Sequence, residues 1–127
     1  MVARTRWSVP DAMIPAESTG GLTSHESVCV LNPGDADASL VFTAYYADAE
    51  PEVSDPVRLP ARRSAHLRTD DPGAIGGLTI PTGVPYALVV EADRPIDVQY
   101  SRLDTTQAAY ALMTVIPPAE EVARHVG

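Results

Sequence analysis

Short apolar stretches recur along this chain at close intervals, each closed by proline, glycine or aspartate, a rhythm that predicts strands rather than long helices. Trp7-Ser8-Val9 reads as a strand ending at Pro10, with a loop through Glu17-Ser18-Thr19-Gly20-Gly21 after it. Ser27-Val28-Cys29-Val30-Leu31 is an apolar run closed by Asn32-Pro33-Gly34-Asp35, which carries strong turn chemistry. Residues 39–46 are rich in β-branched and aromatic side chains, and residues 48–55 are acidic and proline-bearing, hence an exposed loop. Residues 57–69 predict one or two strands around Pro60, and residues 70–77 predict another loop.

Tyr86-Ala87-Leu88-Val89-Val90-Glu91 is apolar on both faces, as a central covered strand requires. From residue 96 the pattern alternates, with Ile96, Val98 and Tyr100 on one face and Asp97, Gln99 and Ser101 on the other. About seven or eight short antiparallel strands follow, so the fold class is all-β, a β-sandwich or small barrel. Residues 108–116 are ambiguous, since their alanines favour helix while Thr114-Val115-Ile116 favours strand. Pro117-Pro118 then predicts a break, followed by a short helix or a frayed tail over residues 118–127.

Length and charge narrow this picture. The 127 residues fit one domain spanning residues 1–127, burying roughly two-thirds of the surface of the unfolded chain. The net charge is −8, and all nine cations are arginine. Such a surface argues against broad nucleic-acid or membrane binding and leaves DNA only a local arginine patch. Cys29 stands alone, so no internal disulfide forms, and its apolar run predicts a buried, inert thiol. There is no 18-residue apolar stretch, and Pro10, Asp11 and Glu17 fall where a signal peptide needs an apolar core. A cytoplasmic location is expected.

The clearest polar cluster is Pro60-Ala61-Arg62-Arg63-Ser64-Ala65-His66-Leu67-Arg68. On a strand, Arg62, Ser64, His66 and Arg68 would share one face and could hold an anion or sugar hydroxyls, or simply face solvent. Arg63 would fall among apolar neighbours and need a carboxylate if buried. Ser24-His25-Glu26 offers a weak metal reading with His66, but a strand points adjacent His25 and Glu26 to opposite faces. A polar pair at a strand edge, with Glu26 meeting an arginine, fits better. Arg102 follows Tyr100 onto the apolar face unless a bulge intervenes; it is either a functional group or the partner of Asp104 in a structural ion pair. No nucleophile elbow and no phosphate-cradling glycine loop occurs, so no enzyme chemistry and no cofactor is indicated.

Four motifs in order carry a resemblance: residues 24–32, Tyr45-Tyr46-Ala47-Asp48-Ala49-Glu50-Pro51, residues 60–68, and residues 98–107 with Ala111-Leu112 beyond. With Trp7 and Ile14-Pro15 they run from about Arg4 to Ile116, and the chain resembles the sensory rhodopsin transducer family. The resemblance implies a β-sandwich protomer, a strand over residues 108–116, and a cytoplasmic homotetramer. It implies a soluble partner of a membrane sensory rhodopsin, with a link to DNA, among relatives proposed to bind sugars or related metabolites. The family's polar motif positions fall on His25, Glu26, Arg62, Arg63, His66, Gln99, Arg102, Asp104 and Gln107. With Trp7 as an aromatic face, they would line one small-molecule site. The glycine-rich loop of residues 70–81 and the longer acidic tail depart from the family pattern.

Overall fold

The computed structural model describes residues 2–124 as ten strands and no helix. They are β1 (Val2–Ala12), β2 (His25–Asn32), β3 (Ala38–Tyr45), β4 (Glu52–Val53), β5 (Val57–Leu59), β6 (Arg63–Arg68), β7 (Tyr86–Ala92), β8 (Asp97–Asp104), β9 (Ala111–Val115) and β10 (Ala119–Arg124). One antiparallel sheet has the order β10-β1-β7-β3-β4, with β5 also on β3; the second has the order β6-β2-β8-β9. We call them sheets A and B. Each turns one set of alternating side chains inward: Trp7 and Val9, Leu40 and Phe42, Leu88 and Val90 from sheet A; Val28 and Val30, Val98 and Tyr100 from sheet B. The result is an all-β sandwich around a shared core.

Several elements differ from the sequence expectation, for local reasons. Pro10 does not end the first strand. The β1–β7 ladder shifts register between Val9 and Ala12, so the residue that cannot donate to the ladder sits in an irregularity while the strand continues. The acidic segment 48–55 holds the two-residue strand β4, and residues 119–124 form a strand, not a helix or a frayed tail. That strand, β10, finds an open edge on β1 (Arg6 opposite Glu120, Trp7 opposite Ala119), and Arg6 donates to the Glu120 carboxylate at 2.9 Å. These short pieces raise the count from the expected seven or eight strands to ten. The end of the tail, residues 125–127, lies outside the described residues. The alanine-rich segment is strand β9, as the family resemblance implied.

Tyr86–Ala92 is central as expected, between β1 and β3. The loop after β6 is not a passive excursion: Ile75, Leu78 and Ile80 are buried and close one end of the sandwich. Gly76 makes that closure feasible. Its φ is +66°, its carbonyl accepts from Asp55 N at 2.9 Å, and a Cβ placed on it would collide with the Asp55 carbonyl oxygen. Gly77 has φ +88° but open space around it. Gly76→Ala is therefore expected to cost about 1–3 kcal/mol, and Gly77→Ala less, because it meets backbone strain alone. Urea denaturation midpoints test this; equal losses at both positions would remove the steric argument.

Candidate functional site

The sequence-predicted polar residues separate into three places. The first is inside the sandwich. Glu26, Val28 and Val30 share one parity along β2, so Glu26 points inward, where it is completely buried. Its Oε1 accepts from Thr69 Oγ1 at 3.1 Å and from the Tyr86 hydroxyl at 2.6 Å. Its Oε2 accepts from the Met13 backbone N–H at 2.8 Å and from the Tyr100 hydroxyl. The four donors come from the residue just after β1, the residue just after β6, the start of β7 and the middle of β8, so this one carboxylate joins the two sheets. Burial, with the Glu26 charge next to them, pushes the Tyr86 and Tyr100 phenols well above their ordinary range.

Arg102 stands directly opposite Glu26 in the β2–β8 ladder, and no bulge re-aims it. Its side chain is 18% exposed. It donates to the Asp11 main-chain oxygen at 3.3 Å and lies 3.9 Å from the Asp11 carboxylate, while its Nε is buried with no hydrogen-bond partner among the described residues. Burial opposes its charge, but the Tyr100 oxygen and the Glu26 and Asp11 carboxylates outweigh that and hold the guanidinium charged. The expected Arg102–Asp104 pair does not form. The Asp104 carboxylate instead accepts from the backbone and hydroxyl of Thr106, at 2.9 and 2.6 Å, and these bonds hold its pKa below the usual value. A carboxylate two residues along a strand shares the arginine's face, but the turn that begins at residue 105 supplies nearer donors.

The second place is a cleft of about 830 Å³ lined by Trp7, Cys29, Leu31, Ser64, His66, Asp97, Gln99 and the Ile116-Pro117 link, among others. It opens where β9 stops short. That strand covers β8 only from Tyr100 to Asp104, after which the chain crosses through Pro117-Pro118 to pair with β1. Cys29 pairs with His66 on one side and Gln99 on the other, so the three side chains form a row across the outer face of sheet B. Leu31 lies between Ser64 and Asp97 one step along the strand. His66 and Gln99 are exposed, and neither side chain has a partner among the described residues. Cys29 departs from its expectation as a buried core thiol: it is half-buried on the outer face, and that partial desolvation raises its pKa. An apolar run does not reveal which of its residues face outward.

The third set lies at the two ends of the sandwich. Arg62 is not on the strand face with His66 but in the preceding turn, in left-handed conformation at φ 58°. Its N–H donates to Gly34 O at 3.1 Å. Arg63 opens β6 exposed, its guanidinium donating to the Arg62 carbonyl at 2.9 Å, so it needs no buried carboxylate. His25 lies at the opposite end, its Nδ1 2.8 Å from Thr23 O, and Gln107 is exposed in the loop beyond β8. Arg68 is held by Asp70 through two bonds, at 2.9 and 2.7 Å. Thus His66, Gln99 and Trp7 come together, Glu26 and Arg102 lie opposite each other in the β2–β8 ladder with no direct bond between them among the described contacts, so the expected Glu26–arginine pair does not form, and Arg62, Arg63, His25, Asp104 and Gln107 lie outside both. Sequence reading missed the sheet-joining role of Glu26, although its parity with Val28 and Val30 was the signal. It also missed the cleft, which depends on where β9 ends.

Among the described residues no three His, Cys, Asp or Glu side chains converge as metal ligands, and no helix is long and apolar enough to cross a membrane. The family model for the Anabaena sensory rhodopsin transducer matches residues 2–118. The crystal structure of Thermotoga maritima 1070 is similar at 38% identity and a TM-score of 0.78, over 89% of this chain and 91% of that one. The Anabaena sensory rhodopsin transducer is similar at 40% identity and a TM-score of 0.68, over 83% of this chain and 92% of that one. No curated protein sequence matches the chain.

Proposed function

Because this chain belongs to the Anabaena sensory rhodopsin transducer family, we propose that it is a non-enzymatic cytoplasmic signalling domain. In this reading it binds a small polar metabolite, a sugar or a relative of one, in the cleft on sheet B. The observation that carries the reading is the row His66–Cys29–Gln99 beside Ser64 and Asp97, with Trp7 and the Ile116-Pro117 link on the apolar wall. An imidazole, a carboxamide, a hydroxyl and a carboxylate together offer donors and acceptors to neighbouring hydroxyls, and the apolar wall covers ring carbons. Among the described residues His66 and Gln99 have no side-chain partners to compete for them. Glu26 acts from behind: the Tyr100 hydroxyl donates to it, tying β8 to β2, and those strands carry Gln99 and Cys29. The protomers act as a homotetramer, as the family resemblance implies.

A second reading has one observation in its favour. Arg62 and Arg63 are exposed without a carboxylate partner among the described residues, on a turn at one end of an otherwise acidic protein. Such a tip suits docking by charge complementarity on an acidic patch of a membrane sensory rhodopsin's cytoplasmic side. It suits DNA less, because the −8 charge repels phosphate away from the tip.

A thermal-shift screen with sugars, sugar phosphates and small carboxylates separates the readings. A ligand at a hundred times its dissociation constant stabilises by roughly 2.7 kcal/mol, a rise of several degrees. His66→Ala or Gln99→Ala should abolish that rise, and Gln107→Ala, in a different loop, should leave it intact. A shift that survives both cleft substitutions would refute the site. No shift with any compound, together with salt-sensitive binding to a receptor tail that Arg62→Ala weakens, would favour the docking reading.

A further inference from the structure

Sheet A leaves a gap beside β1. The β10 ladder covers β1 only as far as Trp7, which stands opposite Ala119, so among the described residues that side of β1 carries no ladder along residues 8–12. Sheet B overhangs this stretch. Met113 pairs with Arg102 and Val115 with Tyr100, and these four side chains share the inner face of the sheet, because Tyr100 is completely buried in the core. Between the two lies a slot of about 220 Å³, bounded by residues 8–11 of β1, by Tyr100, Met113 and Val115, and by the 116–118 link. Valine, proline, methionine and isoleucine side chains make its walls chiefly apolar. It is separate from the cleft at His66 and Gln99, although Ile116 and Pro117 border both.

The link closes one end of the slot, and Asp11 marks the other, where Arg102 supplies a charge. The Arg102 side chain is largely buried. It donates to the Asp11 main-chain oxygen, while its Nε has no hydrogen-bond partner among the described residues. The Asp11 carboxylate is 94% exposed and stays 3.9 Å away, a loose contact that water shares. Glu26 across the ladder is no substitute, because its two oxygens already accept from four donors. We propose that the slot binds a small carboxylic acid with an apolar body. The carboxylate replaces Asp11 on the Arg102 guanidinium, and the body lies between β1 and the Met113–Val115 face. At roughly 30 Å³ for each water-sized group, the slot holds about seven of them, the size of a phenyl ring with one side carbon or of a short aliphatic chain. A sugar would leave its hydroxyls against proline and methionine without partners, and a bare inorganic anion would leave the apolar walls uncovered. The slot and its ligand class stand apart from the metabolite cleft.

Isothermal titration calorimetry of the full chain tests it, with octanoate and phenylacetate as probes and octanamide and phenylacetamide as their uncharged counterparts. The expected result is one site per chain that holds each acid about tenfold or more tightly than its amide, the difference a charged hydrogen-bond pair makes. Arg102→Gln should remove that preference. Val115→Trp fills the slot from an exposed position and leaves Arg102 in place; it should weaken both acids by about tenfold or more, whereas His66→Ala should leave them unchanged. Melting curves verify that the variants fold, and if Arg102→Gln does not, the amides and Val115→Trp decide. Acids and amides bound alike would overturn the role of Arg102. No saturable binding of either acid, or binding that survives Val115→Trp, would overturn the slot, and loss in His66→Ala instead would move the acid to the cleft.

Discussion

Replacing Glu26 with alanine should cost the protein about 3–5 kcal/mol, the range seen when one member of a buried polar network is removed and its partners stay behind. The Met13 N–H, the Thr69 hydroxyl and both tyrosine hydroxyls would lose their acceptor at once. Arg102 would lose the carboxylate that stands across the ladder from it. A domain of this size is stable by about 5–15 kcal/mol in total, so the loss should lower the melting temperature by roughly 12–20 °C. Glu26→Gln should cost less, about 1–3 kcal/mol. One amide oxygen still accepts, and a tyrosine hydroxyl can rotate to accept from the new N–H₂, but the Met13 N–H cannot reverse. Thermal and urea unfolding of the two variants should preserve that order. A loss below 1 kcal/mol for alanine would mean that water replaces the carboxylate and that the sheets are held together elsewhere.

The same centre predicts a steep loss of stability in alkali. Tyr86 and Tyr100 have folded-state pKa values raised, chiefly by burial and then by Glu26, whereas in the unfolded chain they titrate near 10. A raised folded pKa means that the folded state keeps a proton the unfolded state has released. The stabilisation is therefore complete below pH 10 and falls as pH rises above it. At pH 11 each residue should contribute a loss of about 1.4 kcal/mol, and the pair nearly 3. Tyr46, raised by burial and by Glu52, adds to the same slope, and Cys29, raised by burial, begins to act at lower pH. Tyr86→Phe and Tyr100→Phe should each flatten the profile even where they lower stability at neutral pH. A free energy of unfolding that stays level from pH 9.5 to 11.5 would show that these phenols ionise within the folded protein.

Much of the sandwich was written locally. Alternation placed Ile96, Val98 and Tyr100 inside, with Asp97 and Gln99 outside. The Asn32-Pro33-Gly34-Asp35 turn closed β2, and the apolar Tyr86–Ala92 strand proved central. Where local reading failed, a distant partner had intervened. Residues 119–124 are short and acidic, with no strand pattern of their own, and become β10 because β1 offers an open ladder and Arg6 faces Glu120. Residues 111–115 contain helix-favouring alanine and leucine but pair with β8. Arg62 looked like a strand residue by parity, yet its left-handed turn removes it from that face.

What the sequence determined by itself was the all-β class, most strand positions and, through its ordered motifs, the family. These follow from side-chain periodicity and turn chemistry, which act over a few residues. Only the tertiary structure decided that Glu26 collects donors from four separate segments, that Cys29 lies between His66 and Gln99, and that a cleft opens beyond the end of β9. Each depends on strand register and on where strands stop, and those are fixed when distant segments compete for the same hydrogen bonds and the same core.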